Sequence, residues 1–136
     1  MKANSSFEKV EVQVGNDTLE GTLLTPPTRT KRLVVITPLA GSSAMYGLSM
    51  LKNLAKKGSQ LMSYTYRGVL NSTGTFSTEH STEDTRAVLS WASEHARQQG
   101  IPLHAISICY GSIPLFSSYS ESPSPDPVTL AAASGL

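Results

Sequence analysis

Three observations predict an α/β fold, a mainly parallel sheet with helices on both faces, entered through an N-terminal β-hairpin. Apolar and polar side chains alternate early in the chain, later apolar runs are continuous, and between those runs apolar residues recur at helical spacing. Residues 7–14, FEKVEVQV, alternate as a half-buried strand does. Residues 32–40, RLVVITPLA, do not: five of the six residues after Arg32 are apolar or β-branched, which suits a strand covered on both faces. A hairpin followed by β-α-β-α-β-α-β predicts parallel strands joined by right-handed crossovers.

Each element has its own signal. Gly15-Asn16-Asp17 is a turn, TLEGTLLTP (18–26) is the hairpin partner, and Pro26-Pro27 closes the pair. Ala44, Leu48, Leu51 and Ala55 fall on one helical face that Gly58 ends, with Ser42-Ser43 placed to cap it. QLMSYTYRG (60–68) reads as a strand and VLNSTGTFSTEH (69–80) as a polar loop, where Arg67 and Gly68 shape the path and Ser72 and Gly74 form a turn. Ser81-Thr82-Glu83-Asp84 resembles a capping box, with Asp84 as a helix N-terminal cap. Val88, Trp91, Ala92, His95 and Ala96 then share a face until Gly100, and Trp91 belongs in the core. LHAISIC (103–109) is a short buried strand, 111 to about 120 is helix-like, ESPSPDP (121–127) is a connector, and VTLAAAS (128–134) is a last strand.

The chain has 136 residues, one domain's worth, with 39% hydrophobic and 15% charged residues, an ordinary globular composition. A net charge of +1 with scattered charges builds no basic stripe for nucleic acid. The single cysteine excludes an intramolecular disulfide and fits a reducing compartment. The N-terminus carries no apolar core of signal-peptide length and no window reaches a membrane span, so a cytoplasmic location is expected. Histidines 80, 95 and 104 do not pair as metal ligands, and neither a metal nor a cofactor is expected.

Ligands of such sheets collect at the carboxyl ends of the strands, where PLAGSSA (38–44), RGVLNSTGTF (67–76) and SICYGS (107–112) would lie. The last of these turns sharply from strand into helix at Cys109. A side chain on such a turn is pushed into the open, and the helix behind it presents unpaired N–H groups that favour negative charge. Cys109 is therefore the candidate nucleophile; the plainer reading is a buried thiol packing as a small hydrophobe.

The run strand–Ser107-x-Cys109-x-Gly111–helix resembles the nucleophile elbow of the α/β-hydrolase superfamily, usually written G-x-S-x-G. YRGVLNSTGTF resembles that family's segment after the fourth strand, EDTRAVLSWA its Asp-led helix, and VVITPLAGSS its oxyanion loop, all in family order over residues 7 to 136. The resemblance implies oxyanion donors at the Tyr110 amide and at Leu39 or Ala40. It implies acyl transfer or hydrolysis of a small-molecule ester or thioester. Ser107 replaces the family's first glycine and Cys109 its serine. Thiol nucleophiles occur in relatives of dienelactone hydrolase and polyhydroxyalkanoate synthase, and a thioester intermediate suits thioesterase or acyltransferase chemistry.

The family triad runs nucleophile, acid, histidine, yet the only aspartate after Cys109 is Asp126, in the Pro-rich connector, and no histidine follows. His80 sits in a loop that borders the expected site, His95 on an apolar helix face, and His104 at the far end of a strand. Residues 1–136 thus read as a single partial α/β-hydrolase domain lacking the strands that carry the acid and the histidine. Such a chain is expected to fold poorly alone, to self-associate, or to be completed by a partner. Two functions stand side by side: an incomplete acyl-processing enzyme using Cys109, and a non-catalytic or remnant domain that acts by binding.

Overall fold

The structure, a computed structural model, describes residues 5–121 and 128–133. Its strands are β1 (Ser6–Val14), β2 (Asp17–Thr25), β3 (Arg32–Thr37), β4 (Ser59–Tyr64), β5 (Leu103–Ile108) and β6 (Val128–Ala133). Its helices are α1 (Ala44–Leu51), α2 (Thr78–Gln99) and α3 (Ser112–Glu121). The sheet order is β1-β2-β4-β3-β5-β6. β1 and β2 are antiparallel, as are β2 and β4, while β4, β3, β5 and β6 run parallel. The predicted mainly parallel sheet with a leading hairpin is thus observed. The connector at 122–127, Asp126 included, lies outside the described residues.

Val14 pairs with Asp17 across a two-residue turn whose first member, Gly15, has φ 60°. Glycine at that position matches the twist of the strands it joins. The continuous apolar runs are buried on two faces, as their pattern requires. Leu33, Val35, Met62, Tyr64 and Ala105 pack with Val88, Ala92 and Ala96 of α2, and Leu115 of α3. Val34, Ile36, Leu61 and Ile108 pack with Leu48 of α1 and with Ala55. Each fully buried aliphatic side chain contributes roughly 1.5–3 kcal/mol, so this double layer holds the central strands rigid.

Several boundaries differ from the sequence reading. β3 ends at Thr37 rather than 40, and β4 at Tyr64 rather than 68. α1 stops at Leu51 and continues as a tighter turn over Lys52–Lys57, which Gly58 ends in a left-handed conformation at φ 89°. α2 begins at Thr78, not at Ser81. Its cap is Ser77, whose hydroxyl accepts the His80 amide at 2.9 Å. Asp84 is therefore no cap; it lies in the helix's second turn, fully buried. Trp91 is partly buried and packs against the core rather than inside it, stacked on His95 at 4.9 Å. Ser77→Ala is expected to lower stability by about 1 kcal/mol, measured as a shift in the urea midpoint.

Candidate active site

Because β3, β4 and β5 are parallel, the segments that leave their carboxyl ends share one edge of the sheet. Cys109 stands there, directly after β5, as the first residue of a tight turn (Cys109–Gly111) that opens into α3. Its φ is 46°, a left-handed conformation that costs a side-chain-bearing residue roughly 1–2 kcal/mol. The surroundings impose it. The Ser112 hydroxyl donates to the Cys109 carbonyl at 2.8 Å. Thr37 of β3 donates to the Gly111 carbonyl at 3.2 Å, and a Cβ on Gly111 would lie 2.2 Å from the Thr37 carbonyl oxygen. Only glycine lets the turn close so tightly on β3. Ser107, where the elbow pattern has glycine, is accommodated with its side chain fully buried. The cysteine itself is half-buried.

Leu39 and Cys109 pack against the same apolar cluster, so the loop after β3 and the elbow are neighbours. That loop turns at Gly41, φ 78°, with the Leu39 carbonyl accepting from the Ser42 amide at 3.4 Å and the Ser42 hydroxyl at 3.1 Å. Ala40 is exposed at its tip. Ser43, as expected, caps α1 by accepting the Tyr46 amide. The Tyr110 side chain turns toward α2, its hydroxyl 2.9 Å from that of Ser81. Its ring meets Tyr66 edge-on at 5.9 Å and Phe76 at 6.0 Å.

The third loop, 65–77, is held by charge. Arg67, 6% exposed, donates from Nε to Asp84 at 2.7 Å and from Nη2 to Glu83 at 2.7 Å, with Asp17 3.7 Å from Nη1. The Arg67 backbone amide donates to the second Asp84 oxygen at 2.8 Å. Burial pushes the Asp84 carboxyl up against the pull of that amide and guanidinium, whereas its bond to Arg67 holds Glu83 below the usual carboxylate range. Gly68 and Gly74 take φ of 78° and 85° where the loop folds onto Phe76 and onto Asp17. The Ser72 hydroxyl accepts the Glu20 amide and donates to the Thr65 carbonyl. Arg67, Gly68, Ser72 and Gly74 therefore shape the loop, as their sequence suggested.

The histidines are dispersed. His80, in the first turn of α2 rather than a loop, holds the Thr75 carbonyl through Nδ1 at 2.7 Å. His95 lies fifteen residues farther along α2, about 22 Å at helical rise. His104 is second in β5, five residues and about 16 Å of strand before Cys109. A groove of about 350 Å³ between α2 and α3, lined by Glu79, Glu83, Arg86 and Ile113 among others, does not include Cys109. No group of metal-ligating side chains and no helix long and apolar enough to cross a membrane occurs among the described residues.

The sequence reading missed three contributors: Thr37 as the wall behind the elbow, Asp84 as the partner of Arg67, and the Tyr66 hydroxyl, which donates to the Pro38 carbonyl at 2.8 Å. Thr37 and Tyr66 carried no local signal, being ordinary strand formers. Asp84 did carry one, since it lies seven residues beyond Ser77 on the face that buries Ser81 and Val88.

No family model and no curated protein matches the chain. Solved structures do. An esterase of Pyrococcus furiosus matches with a TM-score of 0.72 at 18% identity, over 87% of this chain and 47% of its own. An α/β serine hydrolase homologue from Coxiella burnetii gives 0.69 at 17%, over 94% and 87%. Dienelactone hydrolase from Anabaena variabilis gives 0.72 at 17%, over 96% and 63%. The chain spans about half the length of the Pyrococcus enzyme. It has the α/β-hydrolase fold, and Cys109 occupies the strand-to-helix junction of that fold.

Proposed function

We propose that the chain is part of an acyl-processing enzyme of α/β-hydrolase type, with Cys109 as nucleophile and a small-molecule ester or thioester as substrate. One observation carries this reading: a non-glycine residue with a nucleophilic side chain held at φ 46° on the strand-to-helix turn. Backbone strain of this kind persists where the structure over-determines it, and it clusters at functional sites. A cysteine that merely fills space needs no such conformation.

In this reading the thiol loses its proton to a base, and the sulfur adds to the substrate's carbonyl carbon. The carbonyl oxygen takes up the electron pair and is met by the Tyr110 amide and by that of Leu39 or Ala40. Collapse expels the alcohol or thiol, which takes a proton as it leaves, and the acyl group remains on Cys109 as a thioester. Water or a second acceptor then removes it. The acid and histidine that activate sulfur and acceptor are assigned to residues beyond 1–136 or to a partner chain. Positioned acid–base groups contribute about 100- to 10,000-fold, so the chain by itself acylates without rapid turnover.

Mass mapping after exposure to p-nitrophenyl acetate tests the reading. Native protein is expected to carry the acetyl group on Cys109 and to gain it faster than urea-unfolded protein. Equal rates, native and unfolded, would favour the alternative, a remnant hydrolase-like domain that acts by binding.

A further inference from the structure

The Tyr66 carbonyl accepts the Val69 amide within its own loop at 3.0 Å, while its side chain touches the two segments on which the proposed oxyanion site depends. It is 1% exposed. Its hydroxyl reaches the Pro38 carbonyl at 2.8 Å, and a carbonyl only accepts, so the phenol is the donor. Burial pushes the phenol's pKa far up, which keeps that proton in place. Its ring lies edge-on to Tyr110, centroids 5.9 Å apart, and to Phe76 at 6.0 Å.

The consequence follows from the planarity of the peptide bond. The Pro38 carbonyl and the Leu39 amide belong to one rigid trans unit, in which C=O and N–H point in opposite directions. Proline's fixed φ removes freedom on the preceding side. Holding the Pro38 oxygen therefore sets the direction of the Leu39 N–H. The next peptide unit, carrying the Ala40 N–H, is held separately, because its carbonyl accepts from Ser42. Tyr66 thus governs the Leu39 donor alone, while its ring braces the residue that supplies the Tyr110 donor.

We propose that Tyr66 is a positioning residue for acyl transfer at Cys109: its hydroxyl aims the Leu39 amide at the place where the substrate's oxyanion forms. This assignment rests on the nucleophile reading above. It makes Leu39, rather than Ala40, the second donor, and it means that the donor is set by a side chain from the loop after β4.

The test compares two reactions of the same sulfur in the 136-residue chain. Acylation by p-nitrophenyl acetate develops negative charge on a carbonyl oxygen; alkylation by iodoacetamide displaces iodide and needs no oxyanion donor. Tyr66→Phe removes the hydroxyl and keeps the ring. Acylation of Cys109 is expected to fall about 10-fold, less than the loss of a whole oxyanion donor, with alkylation within about 2-fold of wild type. Phe76→Leu, which loosens the same ring cluster and leaves the hydroxyl in place, is expected to keep the wild-type ratio of the two rates. An unchanged ratio in Tyr66→Phe, an equal loss of both rates, or an equal fall of the ratio in Phe76→Leu overturns the assignment. A wild-type chain that acylates no faster than its unfolded form overturns the nucleophile reading, and this one with it. A wild type that acylates while Tyr66→Phe keeps its ratio overturns this one alone.

Discussion

Asp84→Ala is expected to destabilise the protein by about 3–5 kcal/mol, the range for removing one partner of a buried ion pair. The carboxylate is fully buried in α2 and serves two donors of one residue, the Nε and the backbone amide of Arg67. Alanine leaves both without their acceptor in a place water does not reach, and it leaves a guanidinium only 6% exposed. Glu83 remains at 2.7 Å, but its side chain is half-exposed and grips a different nitrogen. Asp17 is farther off at 3.7 Å. Asp84→Asn keeps one acceptor and turns an amide toward the other donor, so its loss falls between wild type and alanine. Urea unfolding followed by circular dichroism measures all three. A loss below about 1 kcal/mol for alanine would show that the exposed carboxylates suffice.

Gly111→Ala is the second large effect, expected at about 3 kcal/mol, the upper end for forcing extra volume into a packed site. The added Cβ would sit 2.2 Å from the Thr37 carbonyl oxygen and 2.7 Å from its carbon, both backbone atoms of the central strand. Neither β3 nor the elbow can give way cheaply, since β3 is paired on both sides. Thr37→Ala in the same chain clears only the hydroxyl contact at 2.8 Å and is expected to recover little. The substitution also displaces the turn that sets Cys109, so iodoacetamide labelling under native conditions reports it independently of the melt. Full recovery by Thr37→Ala would place the conflict in the side chain rather than the backbone.

The layered fold could be read from periodicity because periodicity records burial. Strands covered on both faces, such as residues 33–36 of β3, are apolar throughout, and the helix from Val88 to Ala96 is apolar on the side that meets them. Strand ends were harder. Thr65, Tyr66 and Arg67 continue the pattern of β4 but leave its ladder, because Tyr66 goes to Pro38 and Arg67 to Asp84. Those partners are 28 and 17 residues away in sequence, and no local preference reports them. The start of α2 was misplaced for a related reason. Ser77 and Ser81 are both competent caps, and Asp84 suited a first turn by type while its spacing put it on the core face. At the site, the position of Cys109 was legible from strand, turn, glycine and helix in succession. The wall that Thr37 provides was not, since it comes from another strand.

The segment from Thr65 to Gly74 owes its shape to Thr18 and Glu20 of β2. Thr65 and Thr73 donate their amides to Glu20 and Thr18, Asn71 reaches the Glu20 carboxylate, and Ser72 takes the Glu20 amide. These bonds join positions 45 to 55 residues apart in sequence, and each long closure must be won against chain entropy before it stabilises anything. The hairpin is thus the template on which one side of the sheet's carboxyl edge is cast. Whatever loosens the hairpin therefore also loosens the loop that carries Tyr66 and Arg67, and the two are expected to open together.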